Sequence, residues 1–333
     1  MMFGAQRTTL VTLALLTASM IIIIASLFIG PVRLPAAQIF SSLFSGDDAT
    51  AVIIREIRLP RALAAWLAGA CLGAAGAGLQ GLLRNPLADP GVLGVSAAAA
   101  LGAIMAIYFN IAALAFWATP LAAILFALAA TALLYALGAG RVSTARLILI
   151  GVGLSSFCGA MISLIMNLAP NPFALSDLVS WLFGTVANRS FDDLMLAAPF
   201  AGFGFAIVIT AAPGLAALTL GEETAASLGA NLMRTRALVI AGAALLVGAS
   251  VSIAGAIGFV GIVAPHLTRA VVGQNPARIL VPSAFLGGIM LAGADMFIRV
   301  LPFAQELKLG VAAALVGAPA FIWVAATSRR MTS

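Results

Sequence analysis

Runs of about twenty apolar residues, cut by short polar turns, recur along this chain. Ten can be counted, at 10–30, 61–83, 91–109, 112–138, 145–168, 193–213, 237–259, 264–273, 279–298 and 308–327. A helix rising ~1.5 Å per residue needs ~20 apolar residues to cross a bilayer core. The pattern therefore predicts an all-α polytopic membrane protein with about ten transmembrane helices, forming one transmembrane domain over 1–333. The eighth run is too short to cross alone and is expected as a half-helix or a tilted piece inside the bundle. The first run follows Arg7 but is longer than a signal-peptide core and has no clean small-x-small cleavage site, so it reads as a retained first membrane helix.

The sharpest break in the pattern lies within Arg58–Ser96. Two arginines, Arg58 and Arg61, bracket Pro60; an uncharged span runs from Ala62 to Leu83; then Arg84-Asn85-Pro86-Leu87-Ala88-Asp89-Pro90-Gly91 intervenes before the next apolar run. Two prolines in five positions, with Asn and Asp beside them, end a helix and make a tight loop.

Composition narrows the function classes. Hydrophobic residues make up 63% of the 333 and charged residues 8%, whereas soluble domains carry roughly a quarter charged residues. The only lysine, Lys308, precedes Leu309, so there is no Gly-Lys-Ser/Thr loop to hold a nucleotide phosphate. Cys71 and Cys158 each sit in an apolar span with neither zinc-site spacing nor an evident disulfide, and read as small buried hydrophobes. A membrane enzyme would need a His/Glu/Cys cluster or a nucleophile with a base, and an ion-coupled symporter would need intramembrane acids. Only Asp295 answers to the latter, and Arg299 one turn on offers it an i,i+4 partner. His266, the sole histidine, has no acidic or thiol companion in sequence and reads as structural; whether it touches a cargo is left open.

Charge placement orients the chain. With a cytoplasmic N-terminus, the inner loops hold Arg7, Arg84, Arg141, Arg146, Arg234, Arg236, Arg278, Arg329 and Arg330 against Asp89, Glu222 and Glu223. In the outer loops Arg33, Arg55, Arg58, Arg61, Arg189, Arg299 and Lys308 are nearly balanced by acids. This is the positive-inside bias, and an even number of spans leaves both termini inside. An internal repeat fits: 61–86 and 236–265 both begin Arg-Ala-Leu, turn Gly/Ala-rich and end at a proline break. With five spans from one copy to the next, the second runs in the opposite direction, as in transporters built from inverted repeats. Glycines 69, 73, 76 and 78, and 255, 258 and 261, are expected to let helix backbones approach closely.

The most telling soluble piece is the loop 218–231, in which Gly221 and Gly229 bracket a short helix with Glu222 and Glu223 in its first turn, where acids suit the helix dipole. Leu220 and Leu228 leave apolar knobs on a segment facing water. Such a helix can lie on the membrane surface. Ser143 and Thr144 precede the fifth span, where capping is one role open to them. The outer segment 167–193 is strongly apolar and carries Phe173, Trp181, Phe183 and Phe191.

The Arg58–Ser96 stretch, SLGA at 227–230, AGAIGFVGIVAPH at 254–266, ADMFIR at 294–299 and GAPAFIW at 317–323 together resemble the FecCD family, the permease subunits of ATP-driven importers for ferric siderophores, haem and vitamin B12. The resemblance implies a homodimer in the bacterial inner membrane. Its partners would be two cytoplasmic ATPase subunits, which bind ATP and Mg, and a periplasmic binding protein. No cofactor on this chain and no nucleic acid is implied. It further implies that Leu220, Gly221, Glu222, Glu223, Ser227, Leu228 and Gly229 form the helix that couples to the ATPase. In the same way, Asn85, Leu87, Ser143 and Thr144 correspond to a cytoplasmic gate, and Arg58, Arg61 and Arg299 to sockets for carboxylates of the binding protein. The aromatic outer segment suits a flat hydrophobic ring, so haem is the expected cargo, with siderophore and vitamin B12 as alternatives. One departure from the family pattern is Lys308 in Glu306-Leu307-Lys308-Leu309-Gly310, where a proline is usual, which leaves the geometry of that turn open.

Overall fold

A computed structural model of the chain describes residues 2–44, 49–137, 144–302 and 306–328; among them the regular structure is helical throughout. In chain order the helices are α1 (Met2–Phe28), α2 (Ala36–Phe44), α3 (Ala49–Val52), α4 (Leu59–Leu83), α5 (Val95–Tyr108), α6 (Ala118–Leu137), α7 (Thr144–Asn167), α8 (Pro172–Leu182), α9 (Phe191–Thr210), α10 (Ala212–Leu218), α11 (Glu222–Ser227), α12 (Leu232–Ala254), α13 (Val260–Val272), α14 (Pro276–Val300) and α15 (Leu309–Ser328). Each of the ten apolar runs becomes one of the longer helices. Seven helical stretches are long and apolar enough to cross a membrane, while α5, α13 and the apolar part of α15 are shorter. One span is longer than its hydropathy indicates: a π-helical turn, Ile53–Arg58, joins α3 to α4 in a continuous helical stretch from Ala49 to Leu83.

Local chemistry sets the helix ends. Pro60 stands in the first turn of α4, and Arg84 closes that helix in the left-handed conformation, its N–H donating to the Gln80 carbonyl. Asn231 caps α12 by accepting from the Arg234 N–H at 2.9 Å, and Gly255, at φ 76°, ends it. Ser190 and Asp193 make a reciprocal capping box on α9.

Helices α4 and α12 are buried along most of their length, whereas α1, α7 and α9 keep large apolar side chains on the outside, as lipid-facing helices do. Contacts give the directions. The Ser250 hydroxyl donates to the Ala68 carbonyl, while Gly78 lies beside Val239. The order along α4 is thus reversed along α12, so the two members of the sequence repeat are antiparallel. Each is followed by a break and a short apolar helix, α5 or α13. Gly69 faces Gly287 and Gly73 faces Ser283, so α4 and α14 are antiparallel too. At Gly69, Gly73 and Gly76 an added Cβ would run into the main chain of Gly287, Ser283 and Gly261, which explains the need for a hydrogen side chain in the α4 stripe. Gly258 differs: a Cβ there would meet open space.

These directions define two ends. The C-terminal end of α4, the N-terminal ends of α12 and α14, and α10–α11 share one end, which holds Arg84, Arg234, Arg236, Arg269 and Arg278. The start of α4 and the ends of α1, α12 and α14 share the other, with Arg33, Arg58, Arg61 and Arg299.

Candidate functional site

At the α10–α11 end, the loop after α4 is held by its own side chains. Asn85 Oδ1 accepts from the Leu87 N–H at 2.9 Å, and Asp89 Oδ1 from the Gly91 N–H at 2.7 Å. The amide of Gln80, buried at the end of α4, reaches across the turn, donating to the carbonyls of Ala88 at 3.2 Å and Gly261 at 3.1 Å. Of the expected gate residues, Asn85 and Leu87 therefore sit in a hydrogen-bonded turn that Gln80 ties to α13. Thr144 begins α7, while Ser143 and the Thr144 side chain lie outside the described residues.

The loop 218–231 folds as its glycines dictate. Gly221 and Gly229 adopt φ of 100° and 84°, in the region open to glycine, and α11 runs between them with Glu222 and Glu223 in its first turn. Leu220 and Leu228 are 58% and 67% exposed, flanking a single buried contact at Ala225. The Ser227 hydroxyl donates back to the Glu223 carbonyl at 3.0 Å. An ion pair absent from local sequence, Glu222 to Arg236 at 2.6 Å, straps α11 to the first turns of α12. The short helix is thus fixed to a helix buried through the core, and its two leucines point away from the protein.

That strap yields a prediction. An exposed pair is worth under ~1 kcal/mol, so Glu222→Lys should leave the fold intact. If α11 is the surface an ATPase subunit grips, Glu222→Lys should reduce co-purification of the ATPase. Arg236→Glu in the same chain should restore it where the strap matters, and fail to where the Glu222 charge itself is gripped. Undiminished co-purification of Glu222→Lys would remove α11 from the interface.

At the opposite end the three arginines expected as docking sockets do cluster, but each has partners inside the chain. Arg58 is 4% exposed, and its guanidinium donates to the carbonyls of Leu27, at 2.7 Å, and Val32, clamping the end of α1. Arg61 forms ion pairs at 2.9 Å with both Asp295 and Glu306. Arg299 pairs with Asp295 at 3.1 Å and donates to the Ile29 carbonyl at 2.8 Å and to Ser26. Asp295 therefore has the i,i+4 partner its sequence position offers, together with a second arginine from α4 that spacing does not reveal. Arg58 and Arg299 are less open than an interfacial arginine usually is; Arg61, whose Glu306 partner is half exposed, is the accessible member.

The turn with Lys308 in place of proline is held by the main chain instead. The N–H groups of Leu309 and Gly310 donate to the carbonyls of Gly184 at 3.0 Å and Phe183 at 3.1 Å. Both cysteines are free and buried, and among the described residues no group of three or more His, Cys, Asp or Glu side chains could hold a metal ion. Sequence reasoning passes over Arg269 and Gln80, which look like ordinary members of apolar runs but whose side chains meet between α4 and α13.

Comparisons with known proteins agree with this geometry. Residues 16–327 match the FecCD transport family. The chain is 36% identical over 313 residues to YvrB of Bacillus subtilis, an uncharacterized ABC transporter permease protein, covering 90% of this chain and 88% of that one. It is 38% identical over 279 residues to the vitamin B12 import system permease protein BtuC of Klebsiella pneumoniae, covering 84% and 83%. A solved structure described as an inward-facing metal-chelate type ABC transporter superposes with a TM-score of 0.85 at 30% identity, over 95% of this chain and 98% of that one. The antiparallel glycine-rich pair α4 and α12, the glycine-bracketed α11 and the arginine–aspartate cluster thus belong to a multi-pass ABC importer permease, and the chain is a member of the FecCD transport family.

Proposed function

We propose that this chain is the membrane-spanning subunit of an ATP-driven importer for a corrinoid of the vitamin B12 type. It would work as a homodimer in the bacterial inner membrane, with two ATPase subunits on the α11 side and a binding protein on the arginine side. The observation that carries the cargo assignment is the 38% identity to a vitamin B12 import permease over 84% of the chain. A second such relative, the cobalamin import system permease protein of Halobacterium salinarum, is 38% identical over 284 residues. Haem is the second reading, favoured by the exposed Phe173 and Phe183 at α8, which offer aromatic faces to a flat ring. Ferric siderophores have less support, because the aromatic segment offers few partners for their many oxygens.

In this reading α11 seats Leu220 and Leu228 in the ATPase, and the Glu222–Arg236 strap passes its movement to α12. Because α12 and α4 pack closely, a tilt of α12 is transmitted to the Asn85–Leu87 turn, where the exit is placed. Arg61 is the docking residue most open to a carboxylate from the binding protein, which would compete with Glu306. Uptake of labelled cyanocobalamin by the reconstituted complex with its binding protein separates the cargo readings. Cyanocobalamin should be accumulated and excess haem should not compete; accumulation of haem without cyanocobalamin would transfer the assignment to haem.

A further inference from the structure

A cavity of about 560 Å³ lies at the α10–α11 end, between the ends of α4, α13 and α14. Its wall includes Gln80, Arg84, Asn85, His266, Arg269 and Pro276, and none of the carboxylates among the described residues lines it. Arg269 is the unusual member. One of its nitrogens, Nη2, donates to Gln80 Oε1, and Gln80 is itself pinned through its amide to the carbonyls of Ala88 and Gly261. The other, Nη1, is buried and has no hydrogen-bond partner among the described residues. Among the described residues neither Arg269 nor Arg84 has a carboxylate partner, whereas Arg61 and Arg299 at the opposite end are balanced by Asp295 and Glu306.

A part-buried guanidinium with no counter-charge beside it is costly unless something anionic meets it, and the Nη1 group, closed off here, must turn into the cavity to do so. Charge, donors and space here all suit an oxyanion. Arginine presents a planar fork matched to phosphate oxygens, and Arg84 adds a second cation from the exposed rim. We infer that this cavity binds a phosphate-class oxyanion, gripped between Arg269 and Arg84. The inference does not depend on which cargo is carried. Two sources share the chemistry: a free phosphate ion, and the phosphodiester of an acidic phospholipid headgroup. With Thr219, which ends α10, in the same wall, an occupied site would brace α10 against α13 and α14 next to the α11 strap.

The test uses the purified full-length protein stripped of lipid. Inorganic phosphate binding is measured by calorimetry. Retention of phosphatidylglycerol is measured by native mass spectrometry after passage through nanodiscs of phosphatidylcholine with and without it. At least one probe should bind, and both Arg269→Gln and Arg84→Gln should weaken that binding about tenfold or more, as expected for loss of a charge-assisted hydrogen bond. Phosphate binding identifies the free ion as the ligand; retention of phosphatidylglycerol without phosphate binding identifies the headgroup. Arg84 is exposed, so Arg84→Gln tests the site even should Arg269→Gln fail to fold. Failure of both probes on the unaltered protein, or undiminished binding by Arg84→Gln, would overturn the inference.

Discussion

Replacing Asp295 by alanine is expected to destabilise the protein by about 3–5 kcal/mol, the range for breaking a buried ion pair by removing one partner. Asp295 is 2% exposed and is the carboxylate for Arg61 on α4 and for Arg299, which is 3% exposed on its own helix. Without it, Arg299 keeps its bonds to Ser26 and Ile29 but loses its counter-charge, and Arg61 keeps only Glu306. Asp295→Asn should be nearly as damaging, because the amide keeps the shape but not the charge. Loss of the monodisperse peak on heating in detergent, read against the unaltered protein, measures the effect. The same cluster separates folding from docking. Glu306→Gln removes the outer of Arg61's two carboxylates without leaving a buried charge unpaired, so it should leave thermal stability nearly unchanged. If Arg61 receives a carboxylate from the binding protein, that variant should also bind the partner at least as tightly as the unaltered chain. Weaker binding would argue that Glu306 itself, and not Arg61, meets the partner.

The second large effect is expected at Gly76. A side chain there would enter the Gly261 backbone at the first turn of α13, and since both sides are main chain, neither can rotate away. Overpacking usually costs about 1–3 kcal/mol, more where nothing yields. Gly76→Val is therefore predicted to prevent the protein from reaching a monodisperse state at normal yield. Gly258→Ala is the control, since its Cβ would have room, and it should behave as the unaltered protein. Equal behaviour of the two variants would mean that α4 and α13 do not pack this closely.

That contrast marks how far the sequence can be read. Gly76 and Gly258 both stand in glycine-rich runs of the same repeat, and hydropathy treats them alike; only the crossing of α4 over α13 tells a packing glycine from a free one. The ten apolar runs, the break at Asn85-Pro86 and the glycine-bracketed α11 were legible because each depends on neighbours a few residues away. So was the Asp295–Arg299 pair, which lies one turn apart on a helix. Arg61 in the same cluster was not, because its partner is 234 positions distant. Arg58 illustrates the reverse error: as a charge at the end of an apolar run it looks exposed, yet the end of α1 folds over it and uses its donors. Arg269 fell inside a short apolar run, where a lone cation gives no sign of the cavity it faces.

If this chain is a passive path driven by a separate ATPase, transport must follow ATP and nothing else. The decisive measurement is uptake of labelled cyanocobalamin into proteoliposomes holding the chain, its ATPase subunits and the loaded binding protein. Accumulation is expected only with ATP on the ATPase side, with none when the ATPase is catalytically inactive and no response to an imposed proton or sodium gradient. Accumulation driven by an ion gradient in vesicles holding this chain alone would contradict it.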